Sequence, residues 1–253
     1  AGILASEVFL SMIFIIAFNI ISGRIPHMQD NLPVETNYSD GYGDRLEKCY
    51  SGAVYDVLRS MGLPDQILPR TIRPLDPAKA LAGRIFTVSG HANYSVDGHT
   101  TLLEWTRMLS RAPRDSVVVC QPNDDTLAHM GELSSETFVY KGVRGYLCDG
   151  GCRDTVRILE TGLRVWFRYH TPRDVVGRWV PDRFEEPIVI GNVGIRNGDY
   201  LMADRDGALV IPQEIIAEVT DKVEEILRTE NKVRTAILQG VDPVEAYLRH
   251  RKF

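Results

Sequence analysis

The sequence predicts a mixed α/β domain with a parallel sheet and a second, mostly antiparallel sheet. Three observations carry that expectation. In the middle of the chain, helical patterns alternate with short strand-like apolar runs. One of these, Ser116 to Cys120 (SVVVC), is apolar after its serine, the mark of a strand buried on both faces. Between Ile188 and Ile211, short strands are punctuated by Asn-Gly-Asp and Asp-Gly turns with no helix between them. The composition agrees. With 253 residues, 44% hydrophobic and 25% charged, the chain is neither disordered throughout nor of low complexity. A chain of this size buries roughly 70–75% of its unfolded surface, so it needs no disulfide or metal to hold a core.

The elements follow in order. Asn31 to Gly43 is polar and turn-rich and reads as a loop. Asp44 to Met61 reads as a helix, because Leu46, Cys49, Ala53, Val54, Val57 and Leu58 recur at three-to-four spacing and Gly62 with Pro64 stops it. A proline-rich connector leads to a strand at Gly83 to Ser89 (GRIFTVS), and Thr100 to Ala112 is an amphipathic helix. After the SVVVC strand, Gly131 to Lys141 reads as a helix capped by Gly142. Val143 to Cys148 is a strand, Val156 to Thr161 a helix ended by Gly162, and Leu163 to Tyr169 a strand. The later strands are Ile188 to Ile190, Tyr200 to Ala203 and Ala208 to Ile211. Pro212 opens a final helix over Gln213 to Gln239, and Leu248 to Phe253 reads as a solvated tail.

The first 27 residues stand apart. Ile3 to Ile21 is nearly continuous apolar sequence, and nineteen helical residues would rise about 28 Å, close to a bilayer core. Glu7 lies inside the run and no Lys or Arg precedes it, unlike a secretory signal. Three readings stand: a membrane anchor, a helix packing on a partner subunit, or a segment outside the functional protein, since the chain lacks an initial Met and ordinary soluble sequence begins at Met28. Membrane contact is expected only under the first. Residues 28–253 read as one domain.

Charge narrows the function. A net charge of -5 argues against nucleic-acid binding by bulk charge. Four cysteines, Cys49, Cys120, Cys148 and Cys152, are too few for a disulfide scaffold and lack CxxC spacing, so they read as buried, reduced thiols in a reducing compartment.

Two short sequences carry chemistry. Gly131-Glu132-Leu133-Ser134 stands at a helix start, where free backbone N–H groups and the helix dipole favour an anion. Asp149-Gly150-Gly151-Cys152-Arg153-Asp154 follows a buried strand directly, where α/β proteins place ligands. Arg153 offers a planar fork suited to a carboxylate, and Asp154 offers hard oxygen ligands suited to Mg²⁺. Converging, they would suit a small 2-oxo acid. The plain alternative is an ordinary helix start and a surface turn with Asp154 as N-cap. Among weaker candidates, His91, Asp97 and His99 belong to a loop where capping and turn chemistry compete with substrate contact, and Asp124 and Asp125 read as loop carboxylates. Trp166, Trp179 and Tyr169 read as core or subunit contacts.

The stretch AHMGELSSETFVYKGVRGYLCDGGCRD, residues 128–154, resembles the signature of the RraA-like family: a Gly-Glu-Leu turn, about twenty residues, then Asp-Gly-x-x-Arg-Asp. AGRIFTV (82–88) and VGIRNGDYLMADRDGALVIP (193–212) continue the resemblance, which covers roughly Asp44 to Gly240. The family includes 4-hydroxy-4-methyl-2-oxoglutarate (HMG/CHA) aldolases and regulators of ribonuclease E activity. The resemblance implies a layered β/β/α swivelling-type fold and a cytoplasmic homotrimer or hexamer. It implies a lyase that cleaves 4-hydroxy-2-oxo acids to pyruvate with a divalent cation (Mg²⁺ or Mn²⁺), with oxaloacetate decarboxylation as an accompanying activity. The alternative it carries is a non-catalytic protein that regulates an RNA-degrading enzyme.

Residue by residue, it implies that Arg153 binds the pyruvyl carboxylate and carbonyl and that Asp154 holds the metal. Gly131 and the amides of Leu133 and Ser134 cradle the carboxylate, and Glu132 orders a catalytic water. Glu230, in Arg228-Thr229-Glu230-Asn231, matches a glutamate that reaches a neighbouring subunit's site, or else lies on a solvated helix face with Arg234 at i+4. One position departs: family aldolases carry an acid three residues after the aspartate, where this chain has Arg157. Arg157 then either binds a second substrate carboxylate or lies on the exposed helix face.

Overall fold

The computed structural model of the chain describes residues 36–251, so the readings made for residues 1–27 lie outside the described residues. The first elements are α1 (Tyr42–Leu46), α2 (Ser51–Ser60), β1 (Arg73–Pro74), β2 (Leu81–Ala92), α3 (Gly98–Arg111) and β3 (Ser116–Gln121). Then come α4 (Glu132–Lys141), β4 (Gly145–Cys148), β5 (Gly151–Cys152), α5 (Thr155–Thr161), β6 (Arg164–Phe167) and β7 (Tyr169–His170). The last third holds β8 (Trp179–Phe184), β9 (Ile188–Ile190), β10 (Val193–Ile195), β11 (Tyr200–Ala203) and β12 (Ala208–Ile211). A 3₁₀ turn, α6 (Ile216–Leu238) and α7 (Pro243–His250) follow.

Among the described residues, eight strands form one mixed sheet in the order β1-β6-β4-β3-β2-β11-β12, with β8 also on β2. Its middle is parallel: Val118 stands opposite Phe86 on β2 and Tyr146 on β4, and Tyr146 opposite Val165 on β6. A second, antiparallel sheet is present but smaller than expected, because the strands Tyr200–Ala203 and Ala208–Ile211 join the central sheet by antiparallel pairing. The cause is the length of β2. Its twelve residues give one edge to β3 and divide the other, with β11 pairing Leu81 to Arg84 and β8 pairing Val88 to Ala92 across a bulge at Ser89/Gly90. The separate antiparallel sheet is the two-stranded β9–β10, and a second small sheet pairs β5 with β7 in parallel.

The SVVVC strand behaves as its composition demands. Val118 and Cys120 enter the core shared with Trp105 and Met108 of α3, Phe138 of α4 and Ile158 of α5. Val117 and Val119 enter the opposite core, with Ile188, Ile190, Val193 and Ile195. A third core joins α2 and α6 to Tyr200, Met202, Leu209 and Ile211.

Three local differences from the sequence reading have simple causes. The helix expected over Asp44 to Met61 is broken, because Tyr50 is extended (φ -133, ψ 154) and Asp204 accepts bonds from both the N–H and the hydroxyl of Ser51 at 2.7 Å, capping α2 from a distant turn. The expected tail is partly helical: Asp242 caps α7 through the amides of Val244 and Glu245, and Pro243 sits in its first turn. The strand β8 is additional. Of the loop candidates, Asp97 caps α3 through Thr100 N–H at 2.9 Å, and His91 Nδ1 lies 2.8 Å from Asp182. Trp166 and Trp179 are core residues. No helix among the described residues is long and apolar enough to cross a membrane.

Candidate active site

The parallel strands β3, β4 and β6 deliver their chain to one end of the sheet, and backbone hydrogen bonds tie the loops there to one another. His129 N–H donates to Gly151 O at 2.8 Å, Arg153 N–H to Met130 O at 3.0 Å, and Arg168 N–H to Gly150 O at 2.8 Å. The β5–β7 pairing sets Cys152 opposite His170, and Thr171 N–H donates to Cys152 O at 3.1 Å. Gly151 is required by this closeness, since a Cβ there would lie 2.5 Å from Leu127 O and from the Tyr169 ring.

The two expected motifs therefore meet. Asp154 occupies the left-handed region (φ 54, ψ 30), an uncommon conformation for a residue with a side chain, costing roughly 1–2 kcal/mol. It precedes α5 in the N-cap position but makes no side-chain capping bond. Its carboxylate turns away: Oδ2 accepts the Glu132 amide at 3.3 Å and lies 3.4 Å from Arg153 Nε. The plain N-cap alternative is thus not what the backbone builds. Gly131 makes the approach feasible, because a Cβ there would sit 2.8 Å from Asp154 Oδ2. The first bond within α4 runs from Ser135 N–H to Gly131 O at 3.1 Å, so the amides of Leu133 and Ser134 have no acceptor within the helix.

Arg153 is held from a second side. Its Nη1 lies 3.4 Å from Asp174, which also pairs with Arg178 at 2.9 Å. Beside Arg153 and Asp154 opens a cleft of about 310 Å³ walled by residues 152–155 and 170–172, near the low end of small-molecule sites. Cys152 lies in this wall, but burial pushes its thiol up to about 12, with the Asp154 charge adding to the effect, so it stays protonated. Glu132 is exposed and borders a neighbouring hollow with Glu136, Tyr140 and Arg157. Arg157 pairs with Glu160 of its own helix at 3.0 Å and lies on an exposed face.

Glu230 sits elsewhere in the chain. It accepts from the Tyr50 hydroxyl at 2.6 Å in a groove of about 570 Å³ between α2 and α6. Leu133 is exposed, and the Ser134 hydroxyl accepts from Trp105 Nε1 at 2.8 Å.

Metal capacity follows from the donor set. Among the described residues, no group of three or more His, Cys, Asp or Glu could hold a metal ion. A carboxylate cage is therefore absent from them. A half-exposed Asp154 does fit Mg²⁺, which keeps several waters and takes one or two carboxylates plus substrate oxygens.

Sequence reasoning did not single out His170, Thr171 or Asp174. It also passed over a polar hollow of about 290 Å³ bordered by Asp124, Asp149 and Arg168. Behind Asp124 lies His129, fully buried, both ring nitrogens without a hydrogen-bond partner and Nε2 3.6 Å from Asp124. Burial pushes its pKa down to about 4 against the pull of Asp124. The signal that could have found this hollow is position: Gln121, Asp149 and Arg168 are at or just past the ends of three adjacent parallel strands.

Residues 51–210 match the family model described as RraA-like, Aldolase/RraA. Protein DlpA of Legionella pneumophila is 26% identical over 216 residues, 85% of this chain but 34% of its own length, so the chain spans about a third of that relative. A Halalkalibacterium halodurans protein, provisionally named a 4-hydroxy-4-methyl-2-oxoglutarate aldolase, is 26% identical over 72% of this chain and 83% of its own. A crystal structure described among novel cellulases from gut-associated microbes superposes with a TM-score of 0.72 at 34% identity, covering 85% of this chain and 95% of that one.

Proposed function

The chain belongs to the RraA-like family, and from that premise we propose that it is a divalent-metal-dependent lyase that cleaves 4-hydroxy-2-oxo acids to pyruvate. The observation that carries this reading is the pose of Asp154, whose carboxylate leaves its own helix to meet the Glu132 amide and Arg153. The cleft offers an anion a guanidinium, and the first turn of α4 meets Asp154 at its edge. Glycoside hydrolysis asks instead for two carboxylates flanking a sugar, so the cellulase description is not carried over.

In this reading Arg153 and the amides of Leu133 and Ser134 bind the substrate carboxylate, and Arg153 also reaches the 2-oxo group. Asp154 holds the cation, Mg²⁺ or Mn²⁺. When bound, the cation supplies Lewis-acid polarisation of the 2-oxo group. As the C3–C4 bond breaks, its electron pair passes to C3 and the pyruvate enolate forms against Arg153. Glu132 orders a water that returns a proton to C3. Oxaloacetate loses CO₂ through the same enolate.

An exposed apolar set on α4 and α5 (Leu133, Val139, Tyr140, Val156 and Leu159) borders the site and supports a homotrimer or hexamer. In such an assembly Glu230 is donated to a neighbouring copy's cleft. Four free, buried cysteines support a cytoplasmic setting. The test is purified protein with Mg²⁺ or Mn²⁺ and oxaloacetate, with pyruvate release coupled to lactate dehydrogenase. Turnover that is lost with EDTA and in Asp154→Ala is the expected result.

One observation favours a second reading, a non-catalytic binding protein that regulates an RNA-degrading enzyme. Arg157 stands where family aldolases carry an acid, and it is tied to Glu160. Absence of turnover across a panel of 4-hydroxy-2-oxo acids, with inhibition of a ribonuclease, would select it.

A further inference from the structure

We infer that His170 is a further catalytic residue, the base that takes the proton from the substrate's 4-hydroxyl during retro-aldol cleavage. The inference rests on the lyase reading above and adds a group to it.

The argument starts from the two ends of the substrate. In the lyase reading its carboxylate end is held by Arg153, which lines the cleft, with the first turn of α4 meeting Asp154 at the cleft's edge. The remaining wall of the cleft consists of Cys152, Thr155 and residues 170–172, so the C4 end of a bound 4-hydroxy-2-oxo acid lies against them. Retro-aldol cleavage needs a base at that end, because the carbonyl forms at C4 only as its hydroxyl loses a proton.

Among the described residues lining the cleft, the candidates fall away one by one. Arg153 is engaged with the substrate carboxylate and has no acceptor site. Asp154 is committed to the cation. The Cys152 side chain is fully buried and its Sγ donates to Arg153 O. Threonine hydroxyls and Pro172 are not bases. His170 remains, and imidazole is the side chain suited to proton exchange near neutral pH. Glu132 borders the neighbouring hollow with Arg157 and, in the lyase reading, acts through a water at C3 rather than at the 4-hydroxyl.

His170 is also placed by the fold. The β5–β7 pairing sets it opposite Cys152, one residue before Arg153, and the Thr171-to-Cys152 bond fixes the next residue. Its ring packs edge-on against the buried Phe167 ring at 4.8 Å between centroids, which orients it while the side chain stays exposed to the cleft.

The step balances. Neutral His170 accepts the 4-hydroxyl proton. The O–H pair forms the C4 carbonyl, and the C3–C4 pair moves to C3 and onto the 2-oxo oxygen. The enolate takes a proton at C3 from the Glu132-ordered water, and the imidazolium returns its proton to solvent. No oxidant or reductant enters.

Oxaloacetate decarboxylation has no hydroxyl to deprotonate, and that supplies the test. Full-length protein with Mg²⁺ is assayed on 4-hydroxy-4-methyl-2-oxoglutarate and on oxaloacetate, as wild type, His170→Gln and His170→Ala. The expected result is a loss of about 100-fold or more in aldol kcat with decarboxylation kept within about threefold, and recovery of cleavage in His170→Ala by added imidazole. Equal losses on both substrates, or no loss on either, would overturn the inference and leave the lyase reading intact. A wild type inactive on both substrates would overturn the lyase reading and the inference with it.

Discussion

Two hollows in this molecule invite comparison: the cleft beside Arg153 and Asp154, and the groove between α2 and α6. The groove is larger, about 570 Å³ against about 310 Å³. It is edged by apolar side chains such as Val233, Ile237 and the exposed Leu238, and the Tyr50–Glu230 hydrogen bond lies in it. The smaller cleft lies where parallel strands end and a helix begins. It is built from loops cross-tied by backbone bonds, with an aspartate in a left-handed pose and a glycine admitted because nothing larger fits. Under the lyase proposal, volume does not locate the chemistry; backbone amides, fixed charges and backbone strain do.

The largest expected effects strike the small cleft. Asp154→Ala should lower metal-dependent pyruvate release by about 10³-fold, on the scale of removing a principal electrostatic group. Gly131→Ala is the sharper probe. Its backbone (φ -150, ψ 179) suits any residue, so the thermal midpoint should shift little, yet the new Cβ would stand 2.8 Å from Asp154 Oδ2 and displace it. A fall of about 100-fold in kcat with normal folding is expected. If both variants kept full activity, the contrast between the two hollows would fail.

The next effect is on stability at the strand ends. His129 is buried neutral, its pKa pushed down from 6.5 to about 4 by burial, with Asp124 opposing and the Trp179 ring packed against it. The unfolded chain binds this proton first. Stability is therefore full above about pH 6.5, falls as the pH drops, and levels off below about 4. The total loss is about 3 kcal/mol. Denaturant melts at pH 7 and pH 4.5 should show most of it in wild type and a much flatter response in His129→Gln.

How far these contrasts could be read from residues alone follows from their range. The helix start at Gly131-Glu132 and the turn at Arg153-Asp154 are local patterns beside an apolar strand, and they could be read. That they touch depends on the ties among residues 128–130, 151–153 and 168–171, which carry no periodic signal. His170 and Asp174 were passed over for that reason. The strand β8 was hidden by Pro181 and the charged Asp182 and Arg183 within it. The single mixed sheet was hidden because it depends on the length of β2, which ran beyond the seven residues that its strand-like composition marked.

A smaller effect asks whether the groove contributes to a neighbouring site. Glu230→Gln should lower kcat about tenfold, while Tyr50→Phe, which removes the Tyr50–Glu230 hydrogen bond, should leave it within about twofold. Mixing the inactive Asp154→Ala with Glu230→Gln then discriminates. In a ring where one copy's cleft uses its neighbour's glutamate, random mixing restores about a quarter of the sites. If Glu230 served its own chain's cleft or none, mixing would restore nothing beyond the Glu230→Gln background.

The smallest effect concerns Arg157, which lies between the two kinds of region: near the cleft in sequence but exposed, 62% of its side chain open to solvent, and engaged with Glu160. An exposed pair of this kind is well screened, so Arg157→Ala should change kcat by less than about threefold. Arg157→Glu restores an acid three residues after Asp154 and adds to Glu132, Glu136 and Glu160 around the neighbouring hollow. The added negative charge should draw the cation, lowering the Mg²⁺ concentration for half-maximal activity by about threefold, with the shift fading as ionic strength rises. Magnesium titrations of wild type and Arg157→Glu at low and high salt read this directly. A shift in the opposite direction would mean that Arg157 contributes to substrate binding through its charge, and that the reach of the small cleft extends past Asp154 along the exposed face of α5.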